Sequence, residues 1–108
     1  MKAGVNMETI YDLLVLGGGP AGLAAGMYGA RARMKTAIIE KGRPGGQAAT
    51  TWDLENYPGF GRGTTGPGLT QAMADHAQSF GAEFIKDTIV SLDLQSSPKK
   101  VIGRKGEY

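Results

Sequence analysis

The chain reads as an α/β protein built on a parallel sheet, and three observations lead there. An apolar run, Ile10 to Leu16, breaks abruptly into the glycine turn Gly17-Gly18-Gly19. A segment rich in small residues, Pro20 to about Arg33, follows with helical spacing. A second apolar run, Thr36 to Ile39, then ends in an acid, Glu40. Strand, turn, helix and strand in that order compose a βαβ unit of a doubly wound sheet.

Each element has a local reason. Residues 1–9 read as a loose lead-in, and Met1 to Asn6 are too short and polar for a secretory signal. Ile10 to Leu16 is short, largely apolar and bounded by glycine, as in a strand buried on both faces of a parallel sheet. Along the helix, Leu23, Met27 and Ala30 recur at spacings of four and three, with Gly22, Gly26 and Gly29 on the neighbouring stripe. Each helical glycine costs about 1 kcal/mol relative to alanine. A close approach of helix to strand accounts for bearing that cost. Arg31, Arg33 and Lys35 gather at the helix end, where the dipole favours cations.

From Lys41 to Gly66 no periodicity is sustained, and long irregular segments inside compact domains usually carry function. Thr65 then caps a second helix with Pro67 in its first turn, and Gly81 ends it. Leu69, Ala72, Met73, His76 and Phe80 are expected to share its apolar face. Ala82 to Ile85 and Thr88 to Leu94 have strand character, and Ser96-Ser97-Pro98 turns toward a last short strand, Val101-Ile102. There is no internal repeat and no domain boundary. Two evident core strands cannot cover a parallel sheet's edges, so residues 1–108 are expected to be one part of a larger domain.

Composition narrows the function. Net charge is only +2, and the one basic cluster, Lys99, Lys100, Arg104 and Lys105, reads as a solvated face. No nucleic-acid partner is expected. Without cysteine, these residues hold no disulfide, thiolate metal site or redox thiol, and no metal site is assigned. No apolar stretch approaches the ~18–20 residues of a membrane span. A cytoplasmic location is the expectation. Of the 18 glycines, twelve cluster at Gly17–Gly22, Gly42–Gly46 and Gly59–Gly68, between apolar segments, where they read as turns around a ligand.

The first cluster fits Gly-x-Gly-x-x-Gly at Gly17, Gly19 and Gly22, the dinucleotide fingerprint of a Rossmann-like unit, with an acid about 20 residues on. Gly17 permits the tight turn, Gly19 lets backbone approach a pyrophosphate, and Gly22 lets helix and strand touch. First-turn N–H groups then face the phosphates, and Pro20 has no intrahelical N–H bond to lose. Glu40 can accept from ribose hydroxyls, and its charge repels a 2′-phosphate, which argues against NADP at this site. No Gly-Lys-Ser/Thr follows, so a kinase-type phosphate loop is not supported. No residue is assigned as general acid, base or nucleophile. His76 reads as a packing histidine, Asp75 and Asp87 as surface or turn residues.

The fingerprint does not separate FAD from NAD. Three ordered motifs do: Gly-Gly-Gly-Pro-Ala-Gly-Leu-Ala-Ala from Gly17, then Glu40-Lys41-Gly42-Arg43-Pro44-Gly45-Gly46-Gln47, then Asp53-Leu54-Glu55-Asn56-Tyr57-Pro58-Gly59-Phe60. Together they resemble the N-terminal part of the thioredoxin reductase-like flavoproteins, a family that includes the flavoprotein subunit of alkyl hydroperoxide reductase. The resemblance runs from about Tyr11 to Tyr108. It implies that Gly18, Gly19, Pro20 and Ala21 line an FAD pyrophosphate and that Glu40 with Lys41 meets the adenosine ribose. It also implies that Gly45, Gly46, Gln47 and Asn56 lie along the flavin half, and that the Ile89 backbone meets the adenine. The residue chemistry agrees, since amide side chains such as Gln47 and Asn56 both donate to and accept from a flavin ring. Two glycines at Gly45-Gly46 let backbone approach a flat ring. Trp52 is expected to pack or to form a lid.

The resemblance further implies a small β-meander beside the parallel sheet. Residues 1–108 would be the N-terminal portion of the FAD-binding domain, without the C-terminal FAD half, the NADPH domain or the family's Cys-x-x-Cys. The whole protein would pass electrons from NADPH or NADH through FAD to a disulfide substrate on a thioredoxin-like redox protein, with a homodimer possible. Two rivals predict other outcomes: an NAD-binding dehydrogenase unit, and a non-catalytic fragment that binds only a nucleotide or a partner.

Overall fold

The computed structural model describes residues 9–108. The lead-in and the signal-peptide reading of Met1 to Asn6 fall outside the described residues, apart from Thr9. Strand β1 (Leu13–Leu16), helix α1 (Pro20–Arg31) and strand β2 (Thr36–Glu40) follow the predicted order. A short 3-10 turn, Gly46–Thr50, interrupts the irregular segment. Helix α2 (Gly66–Ser79) and strands β3 (Glu83–Lys86), β4 (Ile89–Asp93) and β5 (Lys100–Gly103) complete the described chain.

β1, β2 and β3 form one parallel sheet with β2 in the middle, while β4 and β5 form a separate antiparallel pair. The expectation of two core strands is therefore corrected to three. Phe84 and Ile85 alternate in β3 between the two faces of the sheet, so the stretch read as a strand at Ala82 to Ile85 joins the parallel sheet through β2. Val15, Ile38 and Phe84 lie in register across the three strands. They meet Leu23 and Ala30 of α1 and Ala74 and Ala77 of α2 in a single core. Both helices thus lie on one face of the sheet.

The expected close approach of α1 is present along its whole glycine stripe. A Cβ on Gly22 would run into the Gly17 carbonyl, one on Gly26 into the Ile38 side chain, and one on Gly29 to 2.6 Å from Leu13 Cδ2 and 2.9 Å from Thr36 Oγ1. α2 begins as predicted: Thr65 Oγ1 accepts from the Gly68 N–H at 3.0 Å, with Pro67 in the first turn. After Phe80 the chain reverses through Gly81 at φ +104°.

Three packing expectations are corrected. β1 is half-buried, with Leu16 45% exposed, because the helices cover only one face of the sheet. On α2 the buried residues are Gly66, Leu69, Thr70, Ala74 and Ala77. The stripe is rotated from the predicted face, so His76 is exposed and tilts against Phe80 at 5.5 Å. Small residues at Ala74 and Ala77 bring α2 onto α1, which leaves the larger His76 and Phe80 outside. Trp52, expected to pack or to form a lid, does not pack, being 71% exposed. Among the described residues no helix is long and apolar enough to cross a membrane.

Candidate functional site

The carboxyl ends of the three parallel strands meet at one edge of the sheet. β1 runs into Gly17, β2 ends in Glu40, and β3 runs into Asp87. In open α/β sheets, ligands bind beyond this edge. Gly17 turns the chain at φ +104°, and its N–H still donates to the Ile39 carbonyl at 2.8 Å. α1 then starts at Gly19 with no side-chain cap. The first-turn amides of Ala21 and Gly22 accordingly have no intrahelical acceptor, which leaves a concentration of donors at the positive end of the helix dipole.

Two further loops close on this turn. Glu40 Oε1 accepts from the Gly18 N–H at 2.7 Å, while Oε2 accepts from the Gly42 N–H at 2.9 Å. The Gly18 carbonyl in turn accepts from the Gly45 N–H at 2.6 Å. Gly45 and Gly46 both have positive φ, +120° and +58°. A Cβ on Gly46 would stand 3.0 Å from Gly19 Cα, so only glycine lets these backbones lie this close. α2 fixes the Gly45–Thr51 loop from behind. The Gly66 N–H donates to the Thr51 carbonyl at 2.7 Å, and Thr70 leaves no room for a side chain at Gly45.

Two hollows flank the turn. The first, about 390 Å³, is lined by Gly17, Glu40, Lys41, Thr88 and Ile89, with Leu16 and Ile39 beneath. The second, about 490 Å³, is lined by Gln47, Thr51, Asp53 and Asn56. Gly17 opens on the first, and Gly19 touches Gly46, whose neighbour Gln47 lines the second. The structure therefore brings Gly17, Glu40, Lys41 and Ile89 together on one side and Gln47 with Asn56 on the other. Gly18, Gly19, Pro20, Ala21, Gly22, Gly45 and Gly46 belong to the turn and the loop against it. One donor differs from expectation, because the Gly18 N–H is engaged by Glu40.

Asp87 is a correction. Read from the sequence as a surface or turn acid, it does lie in the connection between β3 and β4 but is 3% exposed. It accepts from the Thr88 N–H at 2.7 Å, the Lys105 N–H at 3.1 Å and the Tyr108 hydroxyl at 2.6 Å. Burial pushes its carboxyl up, but the bonds from Tyr108 and from the Thr88 and Lys105 amides outweigh it and hold the group below its ordinary value. The same contact, after burial, raises the Tyr108 hydroxyl. The available signal was positional: Asp87 follows β3 as Glu40 closes β2. The structural contribution of Thr70 had no such signal.

A glycine turn, an uncapped helix start and an acid at the end of the second strand define a Rossmann-like α/β unit. The family model described as pyridine nucleotide-disulphide oxidoreductase matches residues 11–107, and the chain belongs to that family. It is 51% identical over 102 residues to a thioredoxin reductase of Peptoclostridium acidaminophilum, covering 94% of this chain and 32% of the relative. A thioredoxin reductase of Bacillus subtilis (strain 168) is 52% identical over 80 residues, 74% of this chain and 25% of the relative. Among solved structures, thioredoxin reductase of Lactococcus lactis superposes with a TM-score of 0.85 at 38% identity, over 92% of this chain and 32% of that one. The chain thus spans about a third of the length of the relatives it matches over most of its residues.

Proposed function

We propose that this chain is the N-terminal, FAD-binding portion of a thioredoxin-disulfide reductase-like flavoprotein. The observation that carries the reading is the pair of hollows, one lined by the glycine turn and one by the loop packed against it, which suits a ligand with adenosine at one end of a pyrophosphate and a flavin on a ribityl chain at the other. The residues present fit FAD. The ideal Cβ position on Gly19 finds no atom closer than Gly46 Cα at 3.9 Å, so the backbone there is open to a close-lying phosphate. The Ala21 and Gly22 amides would hold the pyrophosphate, Glu40 and Lys41 the ribose, and the Ile89 backbone the adenine. Gln47 and Asn56 would meet the flavin ring with groups that both donate and accept.

Bound FAD would supply the electron-transfer chemistry that these side chains lack. The residues themselves bind, orient and insulate. Glu40 holds the turn through Gly18 while its remaining lone pairs face the first hollow. In the whole protein, electrons would come from NADPH or NADH and leave to a disulfide on a thioredoxin-like protein, as the names of the similar proteins support. The test is equilibrium binding of FAD and of NAD to the intact protein freed of ligand. A yellow complex with FAD, and no comparable affinity for NAD, is expected. Retention of NAD alone would replace this reading with a dehydrogenase unit.

A further inference from the structure

Asp87 is a buried carboxylate with no ion-pair partner among the described residues, where the salt bridge found is Lys35 with Glu83. Taking such a group out of water costs several kcal/mol unless hydrogen bonds replace the lost solvent. Three donors do so, and they come from separate places: the start of β4, the turn after β5, and Tyr108. Two backbone bonds tighten the same knot, Asp87 N–H to the Glu40 carbonyl at 3.2 Å and Arg104 N–H to the Thr88 carbonyl at 2.9 Å. A Cβ on Gly103 would run into the carboxylate, so β5 is seated directly on it.

The backbone that this knot fixes is Asp87-Thr88-Ile89, one wall of the first hollow, across from Glu40 and Lys41. Resting on the FAD reading, we propose that Asp87 is a positioning residue for the adenine half of the ligand. Its carboxylate holds the Thr88–Ile89 main chain at the spacing that the adenine requires. Among the described residues no cation neutralises this charge, and its hydrogen bonds go to the groups that hold this wall in place.

The experiment measures FAD and ADP affinity of the intact protein for the parent, D87N and Y108F, with melting temperature and the visible spectrum of bound flavin alongside. Tyr108 lines a different hollow, so Y108F acts on the adenine wall only through Asp87. Both variants are expected to weaken FAD and ADP by the same factor, about tenfold for loss of a charge-assisted bond, with the flavin spectrum unchanged. A lowered melting temperature with unchanged affinities would make Asp87 a strut of the β4–β5 pair and overturn the proposal. Weakened FAD binding with unchanged ADP binding, or a shifted flavin spectrum, would also overturn it. If D87N does not fold, Y108F decides by the same criteria. A parent protein that binds neither ligand would instead refute the FAD reading itself.

Discussion

The Glu40 carboxylate receives the Gly18 amide at 2.7 Å and so ties the end of the second strand to the turn that leaves the first. Its other oxygen receives the Gly42 amide, which brings the following loop into the same bond network. An acid at this position is usually explained by the ribose hydroxyls alone. Here the same side chain also shapes the turn, so the proposed binding and local stability would be coupled through one residue.

That coupling predicts a double effect for Glu40→Gln. The amide has one oxygen and one NH₂, so one of the two backbone donors, Gly18 or Gly42, loses its acceptor. The loss of one charge-assisted bond costs about 1–3 kcal/mol. We expect both the denaturant midpoint and FAD affinity to fall, and Glu40→Ala to lower both further. Denaturant melts and FAD titration of each variant provide the check. Unchanged stability in both would show the Gly18 bond to be incidental.

Gly19 separates binding from folding. Its φ of −73° is open to any L-residue, and a Cβ there meets nothing closer than 3.9 Å. Gly19→Ala should therefore change stability by no more than about 1 kcal/mol, the helix-cap loss and the unfolded-state entropy gain opposing each other. FAD affinity should nevertheless fall, and Gly19→Val should abolish FAD retention, because the new side chain would occupy the place assigned to the phosphates. Stoichiometric flavin in a folded Gly19→Val protein would refute that placement.

Much of this arrangement was legible in the sequence, for reasons particular residues make clear. Gly17, Gly19 and Gly22 announce themselves because each answers a local demand, and Thr36 to Glu40 combines apolar character with a terminal acid. The helix stripe Gly22-Gly26-Gly29 likewise carried its own explanation. Less legible were features set by distant partners. Asp87 gains its burial from Lys105 and Tyr108, residues that nothing in its own neighbourhood points to. The exposed side of α2 was misjudged because Ala74 and Ala77 are weak hydrophobic signals, although their small size is what allows α2 to approach α1.

The response to pH follows from the same hydrogen bonds. Asp87 is held below its ordinary value of 3.8, so its contribution to stability is present above that value and is lost as pH falls through the lower folded value. Tyr11 has the opposite sign. Burial and its 2.8 Å bond to Glu83 push its hydroxyl up to about 12 from 10.0. The stability it contributes is present below pH 10 and is lost as pH rises toward 12. Chemical melts across the acid range should show a loss below about pH 4 that D87N lacks. Melts above pH 10 should show a loss that is smaller in Tyr11→Phe, the remainder belonging to Tyr108, whose hydroxyl is raised as well.

The final prediction concerns the glycine stripe of α1, where two positions with similar crowding differ in what they meet. At Gly22 a Cβ would meet the Gly17 carbonyl, which is backbone in a turn and cannot yield without moving the strand end. At Gly26 it would meet Ile38 Cδ1 and Cγ1, a side chain rather than backbone, which can give by small torsional shifts without moving a strand end. Alanine also gains about 1 kcal/mol in helix propensity over glycine. Gly26→Ala should therefore cost no more than about 1–2 kcal/mol, the overpacking strain less that gain. Gly22→Ala should reach or exceed the upper end of the overpacking range, about 3 kcal/mol, and should open the turn that holds the first-turn amides. Urea melts of both variants, read with FAD binding, decide it. Equal destabilisation at the two positions would mean that the turn is more pliable than the Gly17–Gly22 contact implies.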